Sequence, residues 1–204
     1  MPYFEGERGR LHYRRWPVPE PAAVVELLPG TGQHSAHYHH FARALAARGI
    51  ETWGLDLPGQ GLSEGDPQAR VAPGELASDA RGLAAILRAR LPEAPLVVAG
   101  HSLGAATSVL ARIECAGMVF TGTPRHVTVS FPELPVRPPI LALHGVDDRR
   151  APIDPIREWA ARQRSVTLLE YADTGHDLLH EPASKQVTQD IIGWILALVE
   201  SGSP

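Results

Sequence analysis

Short apolar runs alternate along this chain with longer stretches in which apolar residues recur every three or four positions. That alternation predicts an α/β chain: a mostly parallel sheet with amphipathic helices on both faces. Val24-Val25-Glu26-Leu27-Leu28 reads as the first buried strand. Further strands are predicted over 50–57, 96–99, 118–120, 140–143 and 166–171. Helices are predicted over about 38–48, 75–90, 103–112, 155–164 and 182–199. In the second of these Leu76, Ala80, Leu83 and Leu87 fall on one face. Gly49 matches a helix-ending position. Residues 2–16 suit an antiparallel hairpin at the sheet edge, before Pro17, Pro19 and Pro21 break the pattern.

Residues 1–204 fit one domain, with no internal repeat and no linker. Only the segment 123–139 resists assignment, with five prolines and no helical period. A net charge of −4 offers no electrostatic case for nucleic acid. Cys115 stands alone, so no internal disulfide is expected. Met1-Pro2-Tyr3-Phe4-Glu5 does not read as a signal peptide, and no apolar run approaches the roughly 20 residues of a membrane span. The expectation is a soluble, cytoplasmic protein without a transmembrane segment.

Gly100-His101-Ser102-Leu103-Gly104 lies between a buried strand and a helix. In G-x-S-x-G that context makes a tight turn, which pushes the serine hydroxyl out above the sheet. A serine hydroxyl needs a histidine to take its proton and an acid to orient that histidine. The acid candidates are Asp147 and Asp148 in His144-Gly145-Val146-Asp147-Asp148, after a later strand. Spacing alone does not separate them. The histidine candidate is His176 in Asp173-Thr174-Gly175-His176-Asp177, after the last strand. Oxyanion stabilisation needs backbone N–H donors. The candidates are Leu103, directly after the nucleophile, and Thr31 in the turn Pro29-Gly30-Thr31-Gly32.

His34, His37, His39 and His40 form a dense cluster, read as a polar helix start at the rim of the site. No metal and no cofactor are predicted, because metal sites need further ligands and an outer shell that this spacing does not supply. Asp56, with Gly59, Gly61 and Ser63, is expected to shape a turn beside the site. Cys115 reads as a small buried apolar residue.

With these residues in place, the chain resembles the monoacylglycerol lipase and lysophospholipase-like branch of the α/β-hydrolases. The matching stretches are Leu28-Pro29-Gly30-Thr31-Gly32-Gln33-His34-Ser35, Asp56-Leu57-Pro58-Gly59-Gln60-Gly61-Leu62-Ser63-Glu64-Gly65, Gly100-His101-Ser102-Leu103-Gly104, the acid motif, and Gly175-His176 with Leu178-Leu179-His180-Glu181-Pro182. The resemblance implies an α/β-hydrolase fold, with the acid on Asp148, the base on His176 and the oxyanion donors on Thr31 and Leu103. Two departures stand out. Pro29 replaces the histidine that usually opens the oxyanion turn. Residues 123–139 replace a cap of several dozen residues, so the cap is minimal or absent.

The expected function is carboxylic-ester hydrolysis through an acyl-enzyme, on a small-molecule ester. A capless site should be shallow and favour short acyl chains, unless a second copy of the chain covers it. Two alternatives remain open: an acyl thioesterase acting on a bulky or carrier-bound substrate, and a non-catalytic binding protein on the same fold.

Overall fold

The computed structural model describes residues 2–69, 71–130 and 138–202. Five strands are buried at every position: β3 (Ala23–Leu28), β4 (Ile50–Leu55), β5 (Leu96–His101), β6 (Gly117–Thr121) and β7 (Ile140–Gly145). Continuous apolar runs are what parallel strands need when helices cover both faces. The strand β8 (Val166–Tyr171) closes one edge and is only partly buried. At the other edge β1 (Tyr3–Gly6) and β2 (Gly9–Trp16) form an antiparallel hairpin. The order across the sheet is β1-β2-β4-β3-β5-β6-β7-β8, and every pairing from β4 to β8 is parallel.

Two apolar layers hold the helices to this sheet. Leu76, Leu83 and Leu87 of α2 (Pro73–Arg90), Val109 of α3 (Leu103–Ala111) and Trp159 of α5 (Ile153–Arg162) pack on one face. Phe41 and Leu45 of α1 (His39–Ala46) and Val187, Ile191 and Ile195 of α6 (Ser184–Gly202) pack on the other. This is the α/β-hydrolase arrangement, with no cap among the described residues. No helix there is long and apolar enough to cross a membrane.

Helix ends differ from the periodicity in instructive ways. The chain enters α1 through a 3-10 turn, Ser35–Tyr38. The helix α2 begins at Pro73, because proline suits the first helical position and the Glu75 carboxylate accepts the Ala72 N–H at 3.0 Å. In the proline-rich segment a short helix, α4 (Arg125–Ser130), forms where no helical period was visible. Six residues are too few to repeat a pattern. Residues 131–137 of that segment lie outside the described residues.

Parallel strands end on one edge, and the turns that follow β3, β4, β5, β6, β7 and β8 gather there. An open α/β sheet places its site on this edge.

Candidate active site

Ser102 occupies the single position between the end of β5 and the start of α3. Its backbone is at φ 50° and ψ −110°, a conformation that costs a residue with a side chain about 1–3 kcal/mol. Surrounding contacts enforce it. The Ser102 N–H donates to the Thr121 carbonyl at 3.0 Å, and its own carbonyl accepts the Ala105 N–H at 3.0 Å. A Cβ on Gly104 would lie 2.0 Å from the Leu28 carbonyl oxygen, so strand and helix pass too closely for any side chain there.

His176, in the loop after β8, reaches both neighbours. Its Nε2 lies 3.0 Å from Ser102 Oγ, and its Nδ1 lies 2.7 Å from Asp148 Oδ2. Asp148 is buried in the turn after β7, whereas Asp147 is exposed. The other Asp148 oxygen accepts the N–H groups of Arg150 and Ala151, at 2.8 and 2.9 Å. His144 supports it from below. The His144 Nε2 faces the Ala151 carbonyl at 2.8 Å, so it carries the proton, and it lies 3.3 Å from Asp148 Oδ2. Burial alone would raise the Asp148 pKa, but hydrogen bonds from His144, His176 and the Ala151 amide outweigh it and hold the carboxyl well below its usual range. A carboxylate on Nδ1 fixes the tautomer that offers the Nε2 lone pair to the serine.

Glu181 fastens the loop that carries the histidine, accepting the Gly175 N–H at 2.5 Å and the Asp177 N–H at 2.9 Å. A second network starts at Asp177. Its Oδ1 accepts Gln33 Nε2 at 2.8 Å and lies 3.2 Å from His101 Nε2. The hydrogen bond from His101 prevails over burial, and with Gln33 it holds the Asp177 carboxyl well below its usual range. Gln33 Oε1 in turn accepts the Gly30 N–H and the Tyr38 hydroxyl. Gln33 thereby secures the turn that contains Thr31. Leu103 opens α3, so its amide has no carbonyl one turn earlier to bond. Thr31 lines a cleft of about 150 Å³ together with Ser102 and His176.

The structure thus brings Ser102, His176 and Asp148 into one hydrogen-bonded line, with Thr31 and Leu103 beside them. His144, Asp177, Gln33 and Glu181 support that arrangement. Their sequence signal was proximity to the motifs, and nothing in the motifs assigned their partners. The histidine cluster does not converge on one point. His34 and His37 stack at 4.0 Å between ring centroids, while His39 accepts the Trp16 indole N–H at 3.0 Å. Among the described residues no group of three or more potential ligands could hold a metal ion. Asp56 accepts the N–H groups of Ser35 and Leu62, at 2.7 and 3.0 Å, and His12 Nδ1 lies 2.8 Å from it. It fastens the turn after β4. Burial pushes the Cys115 thiol up to about 12, far from a reactive thiolate.

The family model described as serine aminopeptidase, S33 (Hydrolase_4) matches residues 19–134. Human monoglyceride lipase is 28% identical over 119 residues, which cover 57% of this chain and 39% of that protein. A monoglyceride lipase homolog of Monkeypox virus is 28% identical over 112 residues, 54% of this chain and 41% of that protein. The chain therefore spans less than half the length of these relatives. Among solved structures, XC6422 from Xanthomonas campestris, described as an α/β serine hydrolase without lid, superposes with a TM-score of 0.73 at 23% identity. That match covers 99% of this chain and 94% of the other. A soluble variant of monoglyceride lipase from Saccharomyces cerevisiae gives a TM-score of 0.82 at 14% identity, covering 96% and 94%. At these identities the structural likeness establishes the fold.

Proposed function

We propose, from the premise that this chain belongs to the serine aminopeptidase, S33 (Hydrolase_4) family of serine hydrolases, that it hydrolyses carboxylic esters with Ser102 as nucleophile, His176 as base and Asp148 as the acid that orients it. The line of hydrogen bonds from Ser102 Oγ through His176 to the buried Asp148 carries this reading. Ser102 Oγ attacks the ester carbonyl while His176 Nε2 takes its proton. The oxyanion that forms is received by the Thr31 and Leu103 amides. The tetrahedral intermediate then collapses, and the imidazolium returns its proton to the departing alkoxide. Water repeats the sequence on the acyl-enzyme with His176 as base, which releases the acid and restores Ser102.

An aminopeptidase would have to hold a free α-ammonium group. Among the described residues the cleft beside Ser102 is lined by Thr31, Gln33, Pro124 and the cationic Arg150, and that positive charge favours an ester over a substrate with a free α-ammonium group. The test combines a fluorophosphonate probe with p-nitrophenyl acetate. Native protein should be labelled and should turn over the ester, and Ser102→Ala should lose both activities. Folded wild-type protein that neither reacts nor turns over would overturn the reading.

A further inference from the structure

Arg150 follows the acid Asp148 in the turn after β7, and that acid fixes its backbone. The Asp148 oxygen not used by His176 accepts the Arg150 N–H at 2.8 Å and the Ala151 N–H at 2.9 Å. Arg150 also lines the cleft of about 150 Å³ that Ser102 and His176 share. A cation therefore stands in the same small space as the nucleophile and the base. Among the described residues Arg149, its equally charged and exposed neighbour, is not on that wall.

The carboxylates bonded around the triad are each committed. Asp148 serves His176, Asp177 serves Gln33 and His101, and Glu181 holds two loop amides. Arg8, Arg15, Arg88 and Arg157 each reach a carboxylate elsewhere in the fold. The Arg150 guanidinium has no such partner among the described residues. It offers a planar fork of donors, which matches a carboxylate in two parallel hydrogen bonds. One guanidinium also balances the single charge of a carboxylate. A phosphate monoester, at about −1.5 to −2, would be left in excess.

The reaction adds to the need for a negative partner. When His176 takes the serine proton it becomes a cation in the cleft that already holds Arg150, and like charges in a small space oppose one another. A carboxylate that enters with the substrate pairs with the guanidinium and relieves that opposition. A monoglyceride, being neutral, offers Arg150 no such partner.

We propose that Arg150 is a carboxylate-binding, specificity-determining residue, and that the substrates are esters carrying a free carboxylate. The proposal rests on the hydrolase reading above. The carboxylate belongs either to the acid half or to the alcohol half of the ester, two sources of one chemistry.

The test measures kcat/KM for two matched pairs of esters in wild type, Arg150→Ala, Arg150→Gln and Arg149→Ala. One pair carries the carboxylate on the acid: the mono-p-nitrophenyl ester of adipic acid against p-nitrophenyl hexanoate. The other carries it on the alcohol: p-acetoxybenzoate against its methyl ester. Comparing the charged-to-neutral ratio between variants cancels the intrinsic reactivity of each ester. In at least one pair both Arg150 variants should lower that ratio about ten-fold or more, the scale of a lost charge-assisted hydrogen bond. The pair affected identifies the half that carries the carboxylate. Arg149→Ala should leave both ratios within about two-fold of wild type. Arg150→Gln keeps a long polar side chain, so the test stands even if Arg150→Ala disturbs the turn. Ratios unchanged in both pairs, or lowered as much by Arg149→Ala, overturn the carboxylate site and leave the hydrolase reading standing. Wild type that neither turns over the neutral esters nor takes the fluorophosphonate overturns both.

Discussion

At the scale of single residues, two adjacent aspartates show what a motif leaves open. Asp147 and Asp148 have the same chemistry and the same strand end, and only the path of the turn buries one against His176. Asp148→Asn should lower kcat by about 10³- to 10⁴-fold in an ester assay, with little change in melting temperature beyond the loss of its hydrogen bonds. Asp147→Asn should leave kcat within about two-fold of wild type, because an exposed surface carboxylate has little to contribute. Ser102, by contrast, is legible from its motif alone, since glycines on both sides and a strand-to-helix switch leave a serine few places to point. His144 was not legible in its role. Its side chain reaches Asp148 through a turn whose closure depends on contacts distant in sequence.

Among the elements, the buried strands were the most legible, because a strand covered on both faces must be apolar throughout. Short or capped pieces were less so. The six-residue α4 has no room for a period, and the start of α2 is fixed by a proline and a returning glutamate that carry no hydrophobic signal. The network on Asp177 belongs to this scale, for it ties the turns after β3, β5 and β8 together. Asp177→Ala should loosen the Thr31 turn and reduce kcat about 10- to 100-fold, the cost of a small misplacement in a reacting geometry. Because Asp177 acts through Gln33 and His101, KM for p-nitrophenyl acetate should change less than kcat. A change confined to KM would assign Asp177 to substrate binding and not to positioning.

At the scale of the whole molecule, the centre of the sheet carries an unpaired carboxyl group. Glu26 is fully buried in β3, and neither carboxylate oxygen has a hydrogen-bond partner. Burial raises its pKa well above the usual glutamate value, and Arg88 offsets this only in part. The folded state therefore keeps a proton that the unfolded chain releases, and stability must fall as pH rises from the ordinary glutamate range towards the raised value. Thermal unfolding followed from about pH 4 to pH 8 should show this decline, and Glu26→Gln should flatten it. An equally steep decline in Glu26→Gln would place its origin elsewhere. The run Val24-Val25-Glu26-Leu27-Leu28 showed a carboxylate among apolar residues, yet the lack of a partner depends on β4, β5 and the helix above them.

The backbone of Ser102 has a consequence for heat resistance. A side chain held at φ 50° is a cost the fold carries in every molecule, whether or not substrate is present. Glycine adopts such angles without that penalty, though it loses more freedom on folding, and the balance favours Ser102→Gly on the order of 1 kcal/mol. Calorimetry should find this inactive variant melting above wild type. A selection for thermal survival alone, blind to turnover, would then drift towards glycine at the one position proposed to attack the substrate.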